Sequence, residues 1–169
     1  MRNVAIVVGH DYFKKGAYSK ELGMSEYTYN SRAAKASGFD FYLHKPNTSY
    51  KRKMFMTYSD LHHYDLTIEL HFNAAVPQAN GVEAMYFHTN NVGRVYAEKF
   101  CTFISQRYDV RSRGAKPLSN DNQRGYWAVA SGKPTGLLVE PFFGTNVEAN
   151  KFKCPEEYGK VLAEFVLLL

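Results

Sequence analysis

The sequence is poor in cysteine, in long apolar runs and in blocks of like charge. Its two cysteines, Cys101 and Cys154, stand far apart, and neither lies in a C-x-x-C context. That spacing excludes a disulfide framework and argues against thiolate ligation of a metal. Cys101 sits among apolar residues at helical spacing and reads as a buried structural thiol. The N-terminal apolar run, "VAIVV", is shorter than the about seven to fifteen residues of a signal-peptide core. The C-terminal "FVLLL" falls far short of the roughly 20 residues that span a bilayer. The expectation is a chain made in a host cytoplasm without a signal peptide, and with no stable membrane insertion.

Charge is similarly undramatic. The formal net charge is +5 and the pI about 9.1, with the cations dispersed. The densest basic stretch, "YKRKMF" at Tyr50–Phe55, reads as a solvated helix face. A mild positive field suits anionic partners such as acidic wall polymers. No recognition motif supports nucleic-acid binding.

What the chain does have is core-forming material. Its 169 residues are 45% apolar and 15% aromatic, with 13 Tyr. That suffices for one self-supporting domain. The aromatic surplus either fills the core or lines a carbohydrate or peptide groove. "NVAIVVG", "DLTIELHF" and "TGLLVEPFF" are continuous apolar strands, the pattern of a sheet covered on both faces. "FDFYLHK" and "VEAMYF" read as further strands, the latter after an Asn80-Gly81 turn. Helices are expected after Ser25, over "SYKRKMFMTYSDLHH", over "VGRVYAEKFCTFISQRY" with Val95, Phe100, Phe103 and Ile104 inward, and over "EEYGKVLAEFVLLL". Residues 11–25 read as a long loop, and "RSRGAKPLSNDNQRGYWAV" as mostly loop. The alternation predicts one α/β domain over 1–169. Its twisted, mostly parallel sheet has about six strands, with helices on both faces.

Ligands of such sheets bind at the carboxyl ends of the strands. His10 ends the first strand, His71 ends the central one, and Glu140 lies near the end of the last. Burying an ionised carboxylate inside "LLVEPFF" costs several kcal/mol unless a positive group faces it, and a metal would serve. Imidazole and carboxylate donors without cysteine suit a catalytic zinc, which takes three protein ligands and leaves a fourth position to water. The third ligand is Glu21 or Glu26. Glu26, in the first turn of a helix that starts at the strand exits, is favoured.

These segments resemble the type-3 class of zinc-dependent N-acetylmuramoyl-L-alanine amidases, found in bacterial wall remodelling and in phage endolysins. "IVVGHDYFKKGA" resembles the family's opening strand and Gly-His. "SEYTYNSRAA" resembles its helix with a ligand Glu, and "DLTIELHFNA" its strand closing in His-x-Asn-Ala. "GVEAMYF", "RSRGAKPL" and "LLVEPFFGTN" resemble three further segments in the family's order. The resemblance implies one zinc per chain, on His10, Glu26 and His71, with Glu140 as the catalytic carboxylate. It implies a single catalytic domain, expected to be monomeric and without a separate wall-binding module in this chain. The substrate it implies is the bond from N-acetylmuramic acid to L-alanine in peptidoglycan, with a phage endolysin acting on the wall after release. Asn73 would hold substrate or ligand, with a structural cap as the equal alternative. Arg113 and Lys116 would meet stem-peptide carboxylates, or else remain solvated charges. His44, His62, His63 and His88 read as non-ligands.

Two positions depart from the family pattern. Glu69 stands where a small polar residue is usual. Period two puts it on the side of His71, either as acceptor for a histidine N–H or as partner of a Lys or Arg. Pro141 follows Glu140 and removes a backbone donor there. Two competing readings share much of the sequence evidence: another zinc peptidase of wall peptides, and a non-catalytic wall-binding domain.

Overall fold

The computed structural model describes residues 2–46 and 48–169. Six strands form the main sheet. In chain order they are β1 (Val4–Val8), β4 (Asp40–Leu43), β5 (Leu66–Leu70), β6 (Val82–Phe87), β7 (Ser112–Leu118) and β8 (Thr135–Glu140). Two short strands, β2 (Tyr18–Ser19) and β3 (Met24–Ser25), form a separate ladder within the expected loop. The spatial order is β4-β1-β5-β8-β6-β7. β4, β1, β5 and β8 run parallel, β6 runs against β8, and β7 is parallel to β6. The continuous apolar runs are the interior strands, and β1 and β5 are buried at every position. β7 is an edge strand, where Pro117 is tolerated and charges can face water. Its seven residues exceed the mostly looped segment expected there.

Helices cover both faces. α1 (Glu26–Ala36), α3 (Asn91–Tyr108) and α5 (Pro155–Leu167) pack with Ile6, Val8, Ile68 and Val139. α2 (Tyr50–Asp60) and α4 (Tyr126–Ala130) pack with Ala5, Val7 and Leu138 on the other side. Ser25 caps α1 by accepting the Thr28 backbone N–H. α3 turns Tyr96, Ala97, Phe100, Cys101 and Ile104 inward, whereas Val95 is exposed, contrary to the helical-face expectation. Burial holds the Cys101 thiol up at about 12, so it is an inert core group. Much of the aromatic surplus is core: Tyr29 and Phe142 meet edge to face at 5.3 Å, with Phe72 and Tyr158 beside Tyr29. Among the described residues no helix is long and apolar enough to cross a membrane.

The α1–α5 contact is unusually close. A Cβ on Gly159 would overlap the Ala33 carbonyl oxygen and lie 2.9 Å from the Ala36 Cβ. Gly159→Ala should therefore destabilise the fold by about 1–3 kcal/mol, as overpacking of a rigid contact does. A lowered urea midpoint with an unchanged slope would register it; an unchanged midpoint would refute it.

Candidate active site

The parallel strands deliver side chains to one edge. β1 ends in Gly9-His10, β5 in His71 and β8 in Glu140. β6, running the other way, starts at that edge, so Glu83 pairs directly with Glu140. α1 begins there too, which places Glu26 in its first turn. A cleft of about 470 Å³ is lined by His10, Glu26, His71, Asn73, Glu140 and Arg124, among others.

Glu26 is the hub. Its Oε1 lies 2.7 Å from His71 Nδ1 and accepts the Phe72 N–H at 3.2 Å. Its Oε2 faces His10 Nε2 at 2.9 Å and accepts the Ala17 N–H at 3.3 Å. Burial alone would raise this carboxyl, but the hydrogen bonds and charges of the two histidines hold it down at about 2. One donor atom from each of His10, Glu26 and His71 lies within 4.8 Å of the other two. The backbone is shaped around this cluster. His10 adopts φ 68°, a left-handed conformation that costs a non-glycine residue roughly 1–3 kcal/mol. Gly16, at φ 73°, would place a Cβ 2.6 Å from both Glu26 Oε2 and His10 Nε2. Two imidazoles and a carboxylate converging at an open cleft form the N/O donor set of a catalytic zinc. The residues present fit that ion.

A second carboxylate system lies beside the cluster. Asn73 Nδ2 donates to Glu83 Oε1 (2.6 Å) and to Glu140 Oε2 (2.7 Å), bridging the two acids. Arg113 Nε donates to Glu83 Oε2 at 2.7 Å, and its guanidinium lies 5.0 Å from the Phe143 ring centre. Burial pushes the Glu140 carboxyl up to about 8; the positive charge of His71 opposes this and Glu83 adds to it.

His10, Glu26, His71, Asn73 and Glu140 thus share one cleft. Arg113 and Lys116 do not line it: Arg113 is engaged with Glu83, and Lys116 is exposed on β7. Pro141 follows the last residue of β8, so the missing donor falls outside the strand. Sequence reasoning missed Tyr50 and Arg124 as lining residues, and missed Glu83 as the partner of Glu140. The alternation of "GVEAMYF" would have put Glu83 on one face, but only the antiparallel register sets it against Glu140.

The sequence model of the N-acetylmuramoyl-L-alanine amidases (Amidase_3) matches residues 4–166. The chain belongs to this family. Hydrolysis of an amide in peptidoglycan is the activity that membership supports. The chain also resembles the catalytic domain of the CD27L endolysin targeting Clostridia difficile. Identity is 26% and TM-score 0.78, covering 99% of this chain and 98% of that one. An N-acetylmuramoyl-L-alanine amidase from Clostridium difficile 630 shares the fold at 19% identity and TM-score 0.76, with 99% and 94% covered. One from Neisseria meningitidis, described as putative, shares it at 17% and 0.77, again with 99% and 94% covered. Among curated proteins, none matches the chain. The edge of the amidase sheet that carries His10, His71 and Glu140 is thus the family's fold presenting this chain's own polar residues.

Proposed function

We propose that the protein is a zinc-dependent N-acetylmuramoyl-L-alanine amidase, a single catalytic domain over 1–169. It would hydrolyse the bond between the lactyl group of N-acetylmuramic acid and L-alanine of the stem peptide. The observation that carries this is the convergence of His10, Glu26 and His71 beside a second, half-buried carboxylate, Glu140. The likeness to an endolysin catalytic domain supports a phage endolysin, acting on the wall of its host after release. We take the chain to act as a monomer.

His10, Glu26 and His71 would hold the zinc. When bound, the ion supplies Lewis acidity to the scissile carbonyl and lowers the pKa of a bound water to about 7. Glu140 takes the water's proton and returns it to the departing amine. Asn73 fixes Glu140 through Oε2 and leaves the other carboxylate oxygen for that proton. Burial raises the Glu140 carboxyl against the opposing charge of His71; with the added positive charge of a zinc held at the cluster, Glu140 would favour the ionised carboxylate that serves as base and then, protonated, as acid. Arg124, lining the cleft, is placed to meet a stem-peptide carboxylate.

Digestion of purified peptidoglycan tests the proposal. Free stem peptides and intact glycan strands are expected, with activity abolished by a chelator and restored by Zn²⁺. Cleaved cross-links, or stem peptides still attached to glycan, would assign the chain to the peptidases instead. Undiminished cleavage in chelator would remove zinc from the account.

A further inference from the structure

We infer that Glu69 is a positioning residue for the zinc site: it fixes His71 through Nε2 and so turns Nδ1 toward the metal. The inference rests on the zinc reading above.

Glu69 lies inside β5 and is 1% exposed. An ionised carboxylate at such a position costs several kcal/mol unless it is fully partnered. Among the described residues it has no lysine or arginine partner; Lys53, in the neighbouring helix, is paired with Asp11. Its partners are weaker bases and a phenol. Oε2 accepts from Tyr58 Oη at 2.6 Å. Oε1 faces His71 Nε2 at 2.9 Å and lies 3.5 Å from His44 Nε2. His44 is in turn held through Nδ1 to Thr57 Oγ1 at 2.8 Å. The carboxylate is therefore clamped from α2 and from the exit of β4, and it presents one oxygen to His71.

An imidazole has two ring nitrogens, and the bond made by one decides which is left to bind a metal. With Nε2–H donated to Glu69, the Nδ1 lone pair serves the metal. Nδ1 is the nitrogen that faces the donor cluster, 2.7 Å from Glu26 Oε1. Partners of this kind in other metal sites typically contribute 10–100-fold to metal affinity. The other reading, a satisfied core carboxylate with no bearing on the metal, gives Glu69 an effect on folding alone.

The test uses the full chain, stripped of metal and titrated with Zn²⁺ against a chelating dye. Glu69→Gln keeps the shape and removes the charge. It should weaken zinc binding about 10- to 100-fold, with metal-free melting temperature unchanged or changed out of proportion. Zinc affinity within about twofold of wild type overturns the inference and leaves the zinc reading intact. A wild type that binds no zinc overturns the reading itself. Should the variant not fold, nitrogen-15 spectra of histidine-labelled wild type with Zn²⁺ decide. A protonated Nε2 and a metal-bound Nδ1 on His71 support the inference; the reverse pattern overturns it.

Discussion

Glu140→Gln should lower peptidoglycan hydrolysis by about 100- to 10,000-fold, the usual contribution of a positioned general base, while zinc stoichiometry stays at wild type. The glutamine can still accept the Asn73 amide hydrogen bond, so the cleft keeps its shape. It cannot take a proton from water. Wall turbidity assays with metal analysis separate the two properties, and an active variant would remove Glu140 from the chemistry. The same substitution carries a pH signature. In the folded metal-free protein the carboxyl is raised from its ordinary 4.5 to about 8, chiefly by burial, with Glu83 adding like charge. Between those values the folded state binds the extra proton, so stability from this group falls as pH rises through the window. Stability is fully present below about 4.5 and lost above about 8. Glu140→Gln should therefore melt close to wild type in acid and above it in alkali, both without metal. A variant less stable than wild type in alkali would contradict the assignment.

Gly9→Ala should abolish zinc binding and hydrolysis together. A Cβ at position 9 would overlap His71 Cε1 and Nε2 and lie 2.6 Å from the Leu70 carbonyl oxygen. That carbonyl accepts the Gly9 N–H at 3.0 Å, so it cannot retreat without opening the β1–β5 ladder. The ring is the softer neighbour, and it would leave the position between Glu26 and Glu69. Overpacking of this sort costs about 1–3 kcal/mol, which leaves a folded protein by circular dichroism with no measurable zinc affinity. Wild-type affinity in the alanine variant would show that the ring adapts. Set beside Glu140→Gln, which keeps its metal, the pair separates ligand placement from proton transfer.

The interior of the sheet was legible because strands covered on both faces are mostly apolar, as β1, β5 and β8 are, with Thr67 and Glu69 in β5 and Thr135 and Glu140 in β8 as the polar exceptions. The edge was harder. β7 reads "SRGAKPL", and its exposed positions carry the polar residues that ordinarily mark loops. Strand exits gave His10, His71 and Glu140, since chain order alone takes parallel strands to one edge. Contacts between distant segments were hidden. Lys53 belongs to the basic run read as solvated, and Lys51 and Arg52 are exposed, but Lys53 is buried against Asp11. Asp11 also accepts the N–H groups of Phe13 and Lys14, so this pair fastens the loop after His10 to α2. For Glu69 the period-two pattern set the side and offered a histidine as one of two partners, but not Tyr58, which arrives from α2.

The reversed direction of β6 has a practical consequence. Its far end, with the turn through His88, Thr89 and Asn90, lies at the edge away from the cleft. There His88 N–H meets the Leu118 carbonyl, and Asn90 Nδ2 lies 3.5 Å from Thr135 Oγ1 at the start of β8. Thr89 is exposed. A linker or solid support coupled at Thr89 would tether the protein by its back and leave the cleft facing an insoluble polymer.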